Sequence, residues 1–164
     1  MLRISKLMDY GTVVLTYMAG APSQMRSAAE LAEALRLGPA TVSKILKTLG
    51  QHNIVVSQRG AHGGYRLARP ASEITVAQVL DALDDQPFGL TECTANPGAC
   101  AVEADCQIRT NWERINDMVR QTLESVTIAD MTGTVAHPLT YHTTISQPVK
   151  AACTQTAASD MELL

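Results

Sequence analysis

The 164-residue sequence predicts a mainly α-helical fold with a small β-wing. Three observations predict it. Apolar residues recur at helical spacing through the first half of the chain, two short β-forming runs flank a glycine-rich turn, and a long four-three apolar stripe follows a cysteine-bearing segment. A chain of this length is expected to hold one domain with a real core, or a small domain with an appendage.

The first helix is read from Ile4, Leu7, Met8, Gly11, Val14, Leu15 and Met18, which share one face, with Ser5, Asp9, Thr12 and Thr16 as a polar stripe. Gly20, Pro22 and Ser23 end it. A capping box, Ser27 with Glu30 three residues on, starts a second helix through Leu31, Ala32 and Leu35, which Gly38 is expected to terminate. Pro39 opens a third, because proline suits a first helical position where its missing N–H is not needed. Its buried face is Val42, Ile45, Leu46 and Leu49, so Ala40, Thr41, Ser43, Lys44 and Lys47 point outward. Two helices with almost no loop between them, the second polar and basic outside, describe a helix-turn-helix.

Ile54-Val55-Val56 then reads as a strand, Arg59-Gly60-Ala61-His62-Gly63-Gly64 as a turn and Tyr65-Arg66-Leu67 as the returning strand. This hairpin makes the predicted architecture a winged helix-turn-helix over residues 1–72. The turn glycines allow close backbone approach to a phosphate, and Arg59 and Arg66 flank it with charge suited to a narrow minor groove. His62 reads as a solvent-facing loop residue rather than a metal ligand.

A connector helix over 73–88 is capped by Thr75 and carries Val76, Val79, Leu80 and Leu83. A cysteine-rich loop spans 89–106. From 107 to 131 a single long helix is expected, because Ile108, Trp112, Ile115, Val119, Thr122 or Leu123, and Val126 nearly form a coiled-coil seam. Such a stripe in a small protein most naturally meets its twin, which gives a homodimer. Residues 132–164, rich in Thr, Ala, Gln and Ser, read as a disordered tail in which His137, His142 and Cys153 have no expected function.

The net charge of −3 conceals a division between the two ends of the chain. Residues 1–69 hold nine Lys and Arg against three Asp and Glu, a net +6, while the remainder holds four against thirteen, a net −9. A basic module that approaches phosphate, joined to one that does not, fits this asymmetry. No apolar run approaches the roughly 18 residues of a membrane span, and no signal-peptide pattern opens the chain, so a cytoplasmic location is expected. No Ser-His-Asp order, phosphate loop or paired acid-base constellation suggests an enzyme.

Cys93, Cys100 and Cys106 are spaced C-x6-C-x5-C. In a reducing compartment, clustered thiols point to metal binding or redox chemistry. The spacing lacks the C-x2-C pairs of zinc fingers and ribbons. Three thiolates around a wide loop better suit an iron-sulfur cluster with one iron left for a different ligand. A structural zinc module and a small electron-transfer protein are the competing readings, although neither ferredoxin cysteine pattern is present.

The opening Leu2-Arg3-Ile4-Ser5-Lys6-Leu7-Met8-Asp9-Tyr10, the wing Arg59 to Ala68 and the three following cysteines resemble the bacterial winged-helix regulators that include IscR and NsrR. The resemblance covers about residues 1–130, and its opening segment is most similar to the subgroup regulating SUF iron-sulfur assembly operons. It implies a homodimeric transcriptional regulator, in the sense of a repressor. Its iron-sulfur cluster, 4Fe-4S ahead of 2Fe-2S, would control binding to a double-stranded DNA operator.

By position, Cys93, Cys100 and Cys106 would be thiolate ligands. Where IscR-like members have a histidine ligand this chain has Arg109, which stays protonated and cannot coordinate iron. NsrR-like members use an aspartate of the partner subunit, and Asp9 holds the matching place. Glu92, Glu103, Asp105 and an external thiol or water compete with it. Thr41, Ser43 and Lys44 are expected at base edges, and Lys47, Gly60, His62 and Arg66 at or near phosphates. Arg59 is expected in the minor groove. The same ligands would serve a nitric-oxide or redox sensor, and a thiol switch without a cluster also remains open.

Overall fold

The computed structural model describes residues 4–60, 63–84 and 86–133. Helix α1, Lys6–Ala19, starts where the Ser5 side chain accepts a hydrogen bond from the Met8 N–H, satisfying one orphan donor of the first turn. Its buried stripe is Met8, Gly11, Thr12, Val14, Leu15 and Met18. This corrects the sequence reading twice. Ile4 precedes the helix and is 62% exposed, whereas Thr12 is buried, its hydroxyl satisfied by donating to the Met8 carbonyl at 3.0 Å.

Helix α2, Ala28–Leu35, opens on the expected Ser27–Glu30 capping box. It closes at Arg36, which takes the left-handed conformation at φ 54°. Gly38 therefore does not end α2. It has φ −63° and serves as N-cap of α3, Pro39–Gln51. Val42, Ile45, Leu46 and Leu49 on α3 have no exposed surface and pack among Val14, Leu15 and Leu31. Removing such a Leu or Ile side chain to Ala would cost about 2–5 kcal/mol, so α3 is held firmly by its apolar face.

Strands β1, Val55–Gln58, and β2, Gly64–Leu67, form an antiparallel hairpin in the register Val55 with Leu67 to Gln58 with Gly64. Strand β1 begins one residue later than the sequence suggests. Helix α4, Val76–Leu83, starts from a Thr75–Gln78 capping box and buries Val76, Val79, Leu80 and Leu83. The cysteine segment is partly ordered into one helical turn, α5, Glu92–Ala95, and a 3-10 turn, Glu103–Asp105.

The expected helix over 107–131 is two helices. Helix α6, Arg109–Ser125, ends at Val126, which is extended, and α7, Ile128–Thr132, restarts on a Thr127–Asp130 capping box. The break lets Val126 O accept from Val76 N at 2.9 Å and Ile128 N donate to Ile74 O at 2.8 Å, while the Ile128 side chain enters the core. No residue of α6 is fully buried. Leu123 and Val126 lean on Met8, Val76 and Leu80, but Ile108, Trp112, Ile115 and Met118 stay exposed. Arg120 fastens α6 to α4 through a bidentate pair with Asp81 at 2.6 and 2.7 Å, and its guanidinium lies 6.0 Å from the Phe88 ring centroid. Among the described residues no helix is long and apolar enough to cross a membrane. His62, Cys153, His137, His142 and the tail from 134 onward lie outside the described residues.

Candidate nucleic-acid interface and cysteine centre

The outer face of α3 follows from its inner one. With Val42, Ile45, Leu46 and Leu49 directed into the core, Ala40, Ser43, Lys44 and Lys47 are exposed and Thr41 is half-buried. On the wing hairpin, Arg59 and Gly60 are exposed at the start of the turn. Gly60 has φ 125°, a conformation that other residues rarely take, and nothing lies within 4 Å of where a Cβ would be. Arg66 is exposed on β2, with Nη1 donating to the Leu67 carbonyl at 3.3 Å. The expected DNA-facing residues that are described therefore lie on one exposed helix face and one hairpin.

Two arginines counted in the basic half have internal work instead. Arg26 exchanges backbone hydrogen bonds with Tyr65 at 3.0 and 2.8 Å, adding a bridge to the wing. Its guanidinium stacks 4.7 Å from the Tyr17 centroid. Gly64 is required there, because a Cβ would come within 2.7 Å of the Arg26 backbone. Arg69 ties the wing base to α4 by donating to the Glu73 carbonyl at 3.2 Å, the Asn53 carbonyl at 3.1 Å and Gln78 Oε1 at 2.8 Å. Composition counted these charges; only folded geometry reveals their use.

Cys93, Cys100 and Cys106 are free and half-buried. Cys93 lies on α5 with Sγ 3.2 Å from Thr91 Oγ1. Cys100 follows the Pro97-Gly98 turn, in which Gly98 has φ 87°. Cys106 ends the 3-10 turn. The loop is anchored to α6 at its start by Leu90 N donating to Asn116 Oδ1 at 3.2 Å. It is anchored further along by an ion pair between Glu103 Oε1 and Arg109 Nη2 at 3.1 Å. Arg109 also pairs with Glu113 at 2.8 Å. The Glu113 hydrogen bond first, then the charges of Glu103, Glu113 and Cys93, raise the Arg109 pKa above its ordinary value.

Asp9 is exposed on the first turn of α1. Glu92 and Asp105 are exposed as well, while Glu103 is engaged by Arg109. Among the described residues, no three His, Cys, Asp or Glu side chains are gathered closely enough to hold a metal ion. The thiols and Asp9 thus do not form a ready-made mononuclear site within one chain.

Residues 4–134 match the family model of Rrf2, the iron-dependent transcriptional regulators. The chain belongs to the Rrf2 family. It is accordingly a DNA-binding transcriptional regulator with a winged-helix fold. Among solved structures it is similar to CymR, the global cysteine regulator of B. subtilis, at 27% identity and a TM-score of 0.63, covering 80% of this chain and 97% of that one. IscR of T. potens is similar at 26% identity and a TM-score of 0.60, covering 79% and 85%.

For an Rrf2 protein of this sequence, the donor chemistry fits an iron-sulfur cluster. Three thiols free of disulfides on one anchored loop would supply soft ligands for iron. Arg109, three residues after Cys106, is cationic and cannot coordinate iron, so the loop would offer three thiolates and no fourth ligand at that position. The Glu103–Arg109 pair has no periodic signature in the sequence, because its members are six residues apart, one in the 3-10 turn and the other at the start of α6.

Proposed function

We propose that this Rrf2-family protein is a homodimeric, iron-sulfur-cluster-dependent repressor of iron-sulfur assembly genes, acting in the cytoplasm, with cluster state controlling operator binding. The observation that carries the reading is the set of three free thiols on a loop anchored to α6, between the basic reading module and an uncovered apolar stripe. Cys93, Cys100 and Cys106 would hold the cluster, 4Fe-4S in preference to 2Fe-2S. Asp9, exposed on α1, would supply an oxygen ligand to the partner's loop. When bound, a cluster supplies an inorganic centre sensitive to oxygen, nitric oxide and iron supply. The resemblance of the opening segment to SUF regulators supports the assembly-gene assignment.

In this reading Ile108, Trp112, Ile115 and Met118 bury against their copies in a second chain. Thr41, Ser43 and Lys44 reach base edges, Lys47, Gly60, His62 and Arg66 hold backbone phosphates, and Arg59 enters the minor groove. A nitric-oxide or redox sensor would use the same ligands. A second reading, a thiol-based regulator without iron, is supported by the likeness to CymR, a global cysteine regulator.

Anaerobic purification with iron and sulfide analysis, followed by operator binding before and after cluster removal, separates these readings. Iron, sulfide and a cluster-dependent change in affinity are expected. Bound zinc without iron or sulfide, or a colourless protein with full regulation, sinks the cluster reading. Asp9→Ala is expected to make the cluster more labile to oxygen, and an unchanged cluster lifetime removes only that ligand.

A further inference from the structure

The Cys100–Cys106 half of the loop is tied down through one carboxylate. Glu103 Oε1 meets Arg109 at 3.1 Å, and its Oε2 accepts from the Gly98 N–H at 2.7 Å, with the side chain only 11% exposed. Its backbone lies between the two cysteines: Glu103 N donates to the Cys100 carbonyl at 3.1 Å, and its own carbonyl accepts from Cys106 N at 3.4 Å. Arg109 N donates in turn to the Cys106 carbonyl at 3.3 Å. Arg109 is itself steadied by Glu113, one turn along α6, at 2.8 Å. Both carboxylate oxygens of Glu103 are engaged, and they join the Gly98 turn to the first residue of α6.

We propose that Arg109 is a positioning residue for the cysteine loop, fastening the segment that bears Cys100 and Cys106 onto α6 through Glu103 and so setting how open those thiols are to an electrophile or a metal. Its physiological meaning rests on the cluster reading, but the clasp belongs to the metal-free chain. The residue that stands where a ligand is expected acts as a latch on the ligands beside it.

The test is a timed iodoacetamide pulse on the reduced, metal-free, full-length protein, with alkylation at each cysteine followed by peptide mass spectrometry. Arg109→Ala is expected to raise the rates at Cys100 and Cys106 by about threefold or more, as local opening becomes less costly. Glu103→Gln, which retains an acceptor for Gly98 but loses the charge, is expected to act in the same direction and carries the test if the first variant does not fold. Arg109→Lys, which keeps the charge toward Glu103, should return the rates close to those of the unaltered protein. Arg120→Ala, which removes an arginine from the other end of α6, should leave them unchanged. Unchanged rates in both Arg109→Ala and Glu103→Gln overturn the proposal, as does an equal rise with Arg120→Ala. Because iron uptake is not needed, a protein that takes up no iron or sulfide defeats the proposed function while this comparison is still decided.

Discussion

Replacing Lys47 by alanine tests the reading face of α3 without touching its packed face. Lys47 is exposed and lies between the fully buried Leu46 and Leu49, with no ion pair to another of the described residues. Its loss should therefore leave stability within about 0.5 kcal/mol. If it neutralises one phosphate, the proposed dimer loses two contacts, and the slope of log K against log salt should fall by about 1.8. Across a fourfold salt range, about 50 to 200 mM, that amounts to roughly twelvefold less salt-induced weakening. Fluorescence anisotropy on a random-sequence duplex, and on an operator selected from a random pool, would measure both slopes. The weakening should be similar on both duplexes, since a phosphate contact positions the protein without reading sequence. An unchanged slope, or a loss confined to one base pair of the operator, would refute the assignment.

Trp112→Glu should convert the proposed dimer to a monomer, because Trp112 lies in the exposed stripe of α6 and the charge would be buried in the proposed pairing face; sedimentation should give half the mass with an unchanged circular dichroism spectrum. A variant that stays dimeric removes α6 from the interface. Arg69→Ala should cost about 1–2 kcal/mol through the loss of three hydrogen bonds at the wing base, lowering Tm by roughly 5 °C; an unaltered melting curve would show that the wing is held by other means. Hydrogen bonds to Glu30 from the Ser27 backbone and then its hydroxyl hold the Glu30 carboxylate below its ordinary pKa. Its stabilisation is therefore present above the unfolded value and lost as pH falls through the lowered one. Glu30→Gln should flatten the acid side of the stability profile below about pH 4, and parallel urea midpoints for the two proteins across that range would contradict this.

The parts of the fold legible in the sequence are those decided locally. The Ser27–Glu30 box, Pro39 and the apolar faces of α3 and α4 involve residues a few positions apart, so their pattern survives without coordinates. Thr127 and Asp130 carry a similarly local signal, but the apolar stripe running through Val126 suggests one continuous helix. Tertiary pairing of that residue with Val76 breaks it. Arg36 ending α2 in the left-handed region has no compositional marker, since Gly38 is the better candidate by propensity. The cysteine spacing marks only a candidate centre, and the engagement of Glu103 and the internal roles of Arg26 and Arg69 depend on chain segments brought together by folding. Charge counting cannot distinguish a guanidinium aimed at solvent from one closing a joint.

The small antiparallel bridge of Thr75 with Thr127, together with Ile128 in the core, fixes the far end of α6 to the root of α4. The other end of α6 carries the cysteine loop. Mechanically α6 is a beam clamped at one support, rather than a tether. In the proposed dimer, a load applied at the loop would be delivered as torque to the base of the winged-helix module, and an operator would register it as a change in the angle between the two copies.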